Sequence, residues 1–158
     1  MKILIATDGS DFSEAALEAI CRIVKTAENV EVKIVSAYEQ AIMVAAAPYA
    51  VYTAENPAVE KEMRELATQA VAQAERQINE RFPQLKENLS TRVLCGSPQL
   101  VIVDEAKDWG ADLIVVGSHG YGFWERVFLG SVSSAVVHHA PCSVMVVRKP
   151  KKLNGNTA

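Results

Sequence analysis

Gly117, Gly120, Gly130 and Ser131 carry the spacing in this chain that could hold an anion through the backbone alone. They belong to one stretch, GSHGYGFWERVFLGSVS, which follows the apolar run LIVV and ends at Ser133. Glycine tolerates positive φ and has no Cβ, so a ligand can come close to the main chain. A helix opening at Gly130-Ser131 would add free N–H groups and the positive end of its dipole. The chemistry expected is a phosphate cradle. The alternatives are a tight turn with no ligand for the glycines and a helix cap for Ser131, a role compatible with holding phosphate.

Asp8 is the second candidate, in the turn DGS that ends the first apolar run, KILIAT. A carboxylate beside a phosphate cradle repels phosphate, so Asp8 is better suited to accept hydrogen bonds from sugar hydroxyls. His119 lies inside the cradle and reads as a phosphate neighbour rather than a catalytic base. His138 and His139 are adjacent on a helical pattern and so point apart, which speaks against a shared ligand. Trp124 and Phe128 read as core packing, and Cys142 as a small buried hydrophobe.

Other nucleotide and hydrolase chemistries are missing. The chain has no GxxxxGK[ST], no GxGxxG after its first strand, no GxSxG and no HExxH. Sixteen basic against nineteen acidic residues give a net charge of −3, which would recruit neither nucleic acid nor anionic lipid. Three scattered cysteines, Cys21, Cys95 and Cys142, fit neither a disulfide framework nor a zinc site. Met1-Lys2 runs straight into ILIA without a signal-peptide pattern, and no apolar run reaches membrane-spanning length. The expectation is a cytoplasmic protein without a membrane partner.

These candidates need a scaffold, and the chain offers one. A length of 158 residues, 49% hydrophobic and 22% charged, suits a single domain with a real core. Five strands are expected, at residues 2–7, 30–37, 89–95, 113–116 and 143–148. Between the first two lies a helix with Ala16, Ile20, Ile23, Val24 and Ala27 on one face. Asp11 and Glu14 fit a capping box at its start, Ser10 competes as N-cap, and Asn29 can close it. Asn56-Pro57 opens the longest helix, with Val59, Met63, Leu66, Ala67, Ala70, Val71, Ala74, Ile78 and Phe82 on one stripe; Pro83 stops it. Gly96-Ser97-Pro98 launches a third helix that Gly110 ends, and Pro141 breaks a fourth that carries Val132, Ala135, Val136 and Val137. Residues 38–56 are the least regular part. They read as a partly helical connection, a flap over a ligand or a contact with a second subunit. Strands alternating with helices imply a parallel sheet covered on both faces, with a ligand at the carboxyl ends where strand order reverses. Asp8 and Gly117 share that crevice if the first and fourth strands are neighbours.

The spacing Gly117-x2-Gly120-x9-Gly130-Ser131 resembles the nucleotide-binding signature of the universal stress protein family, in its ATP-binding branch. ILIATDGS, ADLIVVGSHG and HHAPCSVMVV are similar to the family as well, so three blocks agree in order and spacing over residues 1–148. The resemblance implies a single universal stress protein domain over 1–148, with a five-stranded α/β sandwich of order 3-2-1-4-5 (adenine nucleotide alpha hydrolase-like). It implies ATP, ADP or AMP in the crevice, with Mg2+ held through the phosphates. Gly117, Ser118, His119, Gly120, Gly130 and Ser131 would surround the phosphates, with Val132 and Ser133 nearby. Asp8 would take the ribose or adenine side, and Ala6, Thr7, Ala37 and Val116 would line the base pocket. Ala6 departs from the family, where many members carry proline. Residues 149–158, KPKKLNGNTA, read as a disordered tail.

The function so implied is a nucleotide-binding regulatory module of the stress response. The rival is a slow ATPase or phosphotransferase, although only Arg126 and His119 lie within the glycine stretch to supply side-chain positive charge. A third reading is a nucleotide-free dimeric interaction module. The fifth strand, SVMVVR from Ser143 to Arg148, would be an apolar sheet edge and so invites a homodimer.

Overall fold

Strands buried on both faces should read as near-continuous apolar runs, and this chain contains several. The computed structural model describes residues 1–24, 29–40, 42–47, 50–119 and 129–148, of which 42–47 and 50–55 are described as backbone. Its first elements are β1 (Lys2–Ala6), α1 (Asp11–Val24), β2 (Glu31–Tyr38), β3 (Ile42–Ala47), β4 (Ala50–Glu55) and α2 (Pro57–Arg81). A 3-10 segment, Pro83–Asn88, leads to β5 (Leu89–Cys95), α3 (Pro98–Trp109), β6 (Leu113–Gly117), α4 (Ser131–His139) and β7 (Ser143–Val147).

Five strands form one parallel sheet in the order β5-β2-β1-β6-β7. Counted along the chain within that sheet, the order is the expected 3-2-1-4-5. β1 is the central strand, with Ile3 opposite Val32 of β2 on one side and Leu113 of β6 on the other. Its side chains alternate between two cores. Ile3 and Ile5 pack with Ala16, Leu17 and Ile20 of α1 and with Val71, Ala74 and Ile78 of α2. Leu4 and Ala6 pack with Ile102 and Ala106 of α3 and Val136 of α4. Ile3, Leu4 and Ile5 are each fully buried, so both faces are sealed by helices.

Three local readings are corrected. Residues 38–56 are not an irregular or partly helical connection, because β3 and β4 form an antiparallel hairpin, Ile42 opposite Glu55 through Ala47 opposite Ala50. Ile42, Val44, Val51, Tyr52 and Thr53 favour strands, but Ala45, Ala46 and Ala47 interrupt that pattern, and cross-strand pairing completes the element. The α2 stripe is buried only from Ala67 onward; Val59, Met63 and Leu66 are exposed. At 25 residues α2 runs to about 37 Å, against about 26 Å for the eight residues of β2, so its first turns overhang the sheet. The N-cap of α1 is Ser10, whose Oγ accepts from the Ser13 N–H at 3.4 Å; Asp11 is already inside the helix.

Other signals work as read. Asn56 accepts from the Val59 N–H with Pro57 in the first turn, and Gly110 closes α3 in the left-handed region at φ 72. Asn29 is left-handed at φ 54, but the helix end it was expected to close, residues 25–28, lies outside the described residues. Among the described residues, no helix is long and apolar enough to cross a membrane.

Candidate functional site

The site is built where β1 and β6 end side by side. The Thr7 N–H donates to the Val35 carbonyl at 2.9 Å, which carries the β1–β2 pairing one residue beyond Ala6. The chain then turns sharply through Gly9, at φ 78. Asp8 shapes this turn: its Oδ1 accepts from the Ser10 N–H at 3.0 Å and from the Ser10 hydroxyl at 2.6 Å. Thr7 Oγ1 donates to Ser13 Oγ at 3.1 Å and accepts from the Gly9 N–H at 3.2 Å. These bonds orient the exposed Asp8 carboxylate at the mouth of the cleft while Thr7, Ser10 and Ser13 are buried behind it.

The β6 side is held just as tightly. The Ser118 N–H donates to the Val147 carbonyl at 2.8 Å, and the Ser118 carbonyl accepts from the Gly130 N–H at 2.8 Å and the Ser133 hydroxyl at 3.0 Å. The start of α4 is thereby tied directly to the end of β6. Gly130 is the N-cap residue and Ser131 the first helical residue, which corrects the reading of Ser131 as the cap. Ser131, Val132 and Ser133 carry first-turn N–H groups that no carbonyl of the helix itself can satisfy.

The reason for the glycines also changes. Neither Gly117 nor Gly130 uses the left-handed region. A Cβ on Gly117 would lie 2.8 Å from the carbonyl carbon and oxygen of Phe12, and one on Gly130 would lie 3.3 Å from His119 Cα and the Ser118 oxygen. They make room for the protein's own backbone. Gly120 and the residues read as core packing or charge in this loop, Trp124, Arg126 and Phe128, lie outside the described residues.

Between the two strand ends is a cleft of about 290 Å³. Ala6, Ala37 and Val116, at the ends of three neighbouring strands, form an apolar wall, and Thr7 and Asp8 border it. Gly117, His119 and the four residues 130–133 form the opposite end. Ser118 does not line the cleft: it is 1% exposed, lies beneath it, and places its Oγ 3.1 Å from Nδ1 of His119. The His119 ring packs against Phe12, with centroids 5.3 Å apart. His138 and His139 are exposed at the far end of α4, away from the cleft.

Three lining residues escaped the sequence reading: Ser13, Pro98 and Ile102. Ser13 lies in the first turn of α1 and Ile102 in α3, where nothing in the helix patterns singled them out. Their place at the cleft depends on how α1 and α3 approach the strand ends, which spacing along the chain does not encode. Among the described lining residues Asp8 and His119 alone are ionisable, and none is Lys or Arg. No group of three or more His, Cys, Asp or Glu that could hold a metal ion occurs among the described residues. The cleft therefore offers a flat apolar slot, a carboxylate that accepts hydrogen bonds, and backbone donors at a helix start.

Comparison with known proteins fits this geometry. A family model described as "Universal stress protein family" matches residues 1–148. A universal stress protein of Methanocaldococcus jannaschii, MJ0531, is 34% identical over 151 residues, covering 96% of this chain and 84% of its own. The structure of UspA from Lactobacillus plantarum is similar at a TM-score of 0.66 and 29% identity, covering 94% of this chain and 97% of that one. A universal stress protein family member from Arabidopsis thaliana, solved with AMP bound, shares the fold at a TM-score of 0.64 and 18% identity, covering 99% of this chain and 97% of its own. With its sheet order, its cleft and a family match over nearly all of its length, the chain belongs to the universal stress protein family.

Proposed function

We propose that the cleft binds an adenine nucleotide, ATP or its di- or monophosphate, and that occupancy controls the associations of this chain in a stress response. The observation that carries this is the juxtaposition of the α4 N-terminus with Asp8 across one cleft between neighbouring strands. The base would lie against Ala6, Ala37, Val116 and Ile102, a dry slot for a flat ring. Asp8, oriented by Ser10, would accept from the ribose hydroxyls. The phosphates would meet the first-turn N–H groups of α4 beside Gly117, His119 and Gly120. Mg2+ would be carried on the phosphates, as no acidic cluster occurs among the described residues. AMP in the Arabidopsis relative supports a ligand of this class on this fold.

A regulatory role is preferred to phosphoryl transfer because that chemistry needs positioned charge and an activated nucleophile. The serine–histidine contact seen at the cleft, Ser118 with His119, joins sequence neighbours, and Ser118 is 1% exposed. The functional unit would be residues 1–148, acting in the cytoplasm. β7 is an edge strand of the sheet, and antiparallel pairing of two copies along Ser143 to Arg148 would make a homodimer.

Mass analysis of nucleotide released from freshly purified protein tests the reading, followed by calorimetry with ATP, ADP and AMP. Recovery and rebinding of an adenine nucleotide is the expected result; an empty protein that binds none of the three overturns it. Sedimentation tests the dimer, which a wild type that stays monomeric at micromolar concentration would exclude.

A further inference from the structure

Of the two ionisable side chains in the described lining of the cleft, Asp8 and His119, only His119 can carry a positive charge. Asp8 borders the apolar wall, whereas His119 stands with Gly117 and residues 130–133 at the other end. The backbone of His119 adjoins the N-cap of α4, since a Cβ added at Gly130 would come within 3.3 Å of His119 Cα. An anion held by the first turn of α4 would therefore have the imidazole at its side.

The ring is oriented by neighbours that accept either of its charge states. Nδ1 lies 3.1 Å from Ser118 Oγ, and the Ser118 backbone is pinned to the Val147 carbonyl and the Gly130 N–H, both at 2.8 Å. A hydroxyl can donate to a neutral imidazole nitrogen or accept from a protonated one, so this bond survives a change of protonation. When Ser118 donates, the neutral ring carries its proton on Nε2; when the ring is charged, both nitrogens donate. The edge opposite Ser118 then presents an N–H in both states, and a full positive charge in the second. On another side the Phe12 ring packs at 5.3 Å between centroids, tilted by 51°, and an aromatic face tolerates a cation.

The charged groups on the surrounding described elements are few. The turn after β1 brings Asp8, α1 brings Asp11, and Glu14 of α1 is turned to Gln73 of α2 at 3.1 Å. Arg148 follows Val147 at the end of β7, while β6 and the first turn of α4 bring backbone and hydroxyls only. Glu125 and Arg126 follow in the chain, outside the described residues. A positive helix start and a positive ring repel each other until an anion sits between them, and then both attract it. Proton and phosphate thus favour each other's binding, and the coupling is reciprocal.

We propose that His119 is the side chain that reads phosphate in this cleft and that it takes up a proton as phosphate arrives, so that the hold on phosphate tightens as the pH falls from about 8 to about 6. The inference rests on the nucleotide reading above and adds a regulation of that site. Its position beside the α4 start, in a ring mount indifferent to charge, carries it. Adenosine, which has no phosphate, is blind to the effect.

The test compares the full chain with its His119→Gln variant, which keeps a hydrogen-bonding side chain but takes no charge. Calorimetry measures the affinities for ATP, AMP and adenosine across that pH range. Phosphate itself gains a proton near about pH 6, so the quantity read is the ratio of wild-type to variant affinity at each pH. For ATP and AMP the ratio should grow about fivefold or more from the alkaline to the acid end, and for adenosine it should stay level. A ratio for ATP and AMP that is constant with pH overturns the proposal while leaving the nucleotide reading intact. So does a ratio that grows equally for adenosine, which would place the effect in the fold or the base pocket. A wild type that binds none of the three removes both readings.

The wild type alone gives a second readout. Its three histidines can be titrated by NMR, with the exposed His138 and His139 at the far end of α4 as internal references. Saturating ATP should raise the His119 midpoint by about 0.7 pH unit, the same fivefold coupling expressed in pH, and leave the other two in place. A His119 midpoint that ATP does not move overturns the proposal. His138→Gln and His139→Gln variants assign the signals whether or not His119→Gln folds.

Discussion

The two ends of the same sheet solve opposite problems. At the carboxyl ends of β1 and β6, polar groups belong to the backbone, to small hydroxyls, to the His119 ring and to the rim carboxylate Asp8. The α3 face nearer the amino ends is instead stocked with long charged side chains that are satisfied within the fold. Glu105 of α3, 5% exposed, meets Lys33 Nζ of β2 at 2.9 Å and Arg92 Nη1 of β5 at 2.5 Å. The Lys33 ammonium also sits 4.7 Å from the centre of the Trp109 ring, and Lys2 sits 5.4 Å from it. Lys2 further donates its backbone N–H to Asp112 Oδ2 at 2.7 Å. The lesson is that a cluster of charges can be the sign of a closed account, whereas a helix start facing an apolar slot leaves donors for something else to meet. A charged cluster should answer to stability measurements, and the cleft to binding measurements.

That contrast breaks most easily at Glu105. Glu105→Ala leaves the Lys33 ammonium, 16% exposed, without its counter-charge, and should cost about 3 kcal/mol of unfolding free energy. Urea denaturation reads the loss. Adding Lys33→Met to the same chain should return most of it; a double variant no more stable than the single one would show that the network is not a buried ion pair in the energetic sense.

Gly117→Ala comes next and sharpens the boundary between scaffold and site. The new Cβ meets the Phe12 backbone, which cannot rotate away, so a cost of about 2 kcal/mol is expected in denaturation. Unchanged stability with weakened nucleotide binding would restore the view that this glycine makes room for ligand.

Much of the sheet was legible in advance, and particular residues explain why. The strand runs are continuous because both faces are buried, and Pro57, Gly110 and Pro141 mark helix ends by their own backbone chemistry. The unread parts depend on distant partners. Gly117 meets Phe12 across most of the chain, and Lys33 finds Glu105 across 72 residues. Val59, Met63 and Leu66 continue the apolar stripe of α2 faultlessly, but a stripe does not say where the sheet beneath it stops. The β3–β4 hairpin is hidden because Ala45, Ala46 and Ala47 break up the strand pattern that Ile42, Val44, Val51 and Tyr52 carry. In the cleft, Asp8 and the residues at 130–133 were readable from turn and helix-start signals, while Pro98 and Ile102 arrive there only because α3 packs beside Ala37 and Val116.

A smaller effect is expected at Asp8. Asp8→Ala should weaken ATP and AMP alike by about 1.5 kcal/mol, the scale of a hydrogen bond to a charged acceptor. Calorimetry with both nucleotides checks it; a loss confined to ATP would move Asp8 from the ribose to a metal on the phosphates.

The smallest difference concerns two cysteines. Burial, then the nearby Asp112 carboxylate, pushes the Cys142 thiol above its ordinary range, partly opposed by a backbone hydrogen bond at Ile114. At mildly alkaline pH less of it is thiolate, and Cys142 is also less exposed than Cys95, so iodoacetamide should label Cys95 first. Mass spectrometry of partly labelled protein decides, and faster labelling of Cys142 would contradict the assignment.

The pairing of β1 with β6 has a consequence for how the molecule comes into being. Lys2 and Asp112 exchange two hydrogen bonds across a separation of 110 residues, the second running from the Asp112 N–H to the Lys2 carbonyl at 2.8 Å. During synthesis β1 can find β2 early, but its other edge must wait until nearly three-quarters of the chain has emerged. Contacts of such long range are slow to form, and until they do an apolar strand edge stays open to the wrong partner. Thr7 and Asp8 are made first, yet they face nothing until Gly117 and the start of α4 arrive, so the cleft is among the last features of the nascent chain to exist.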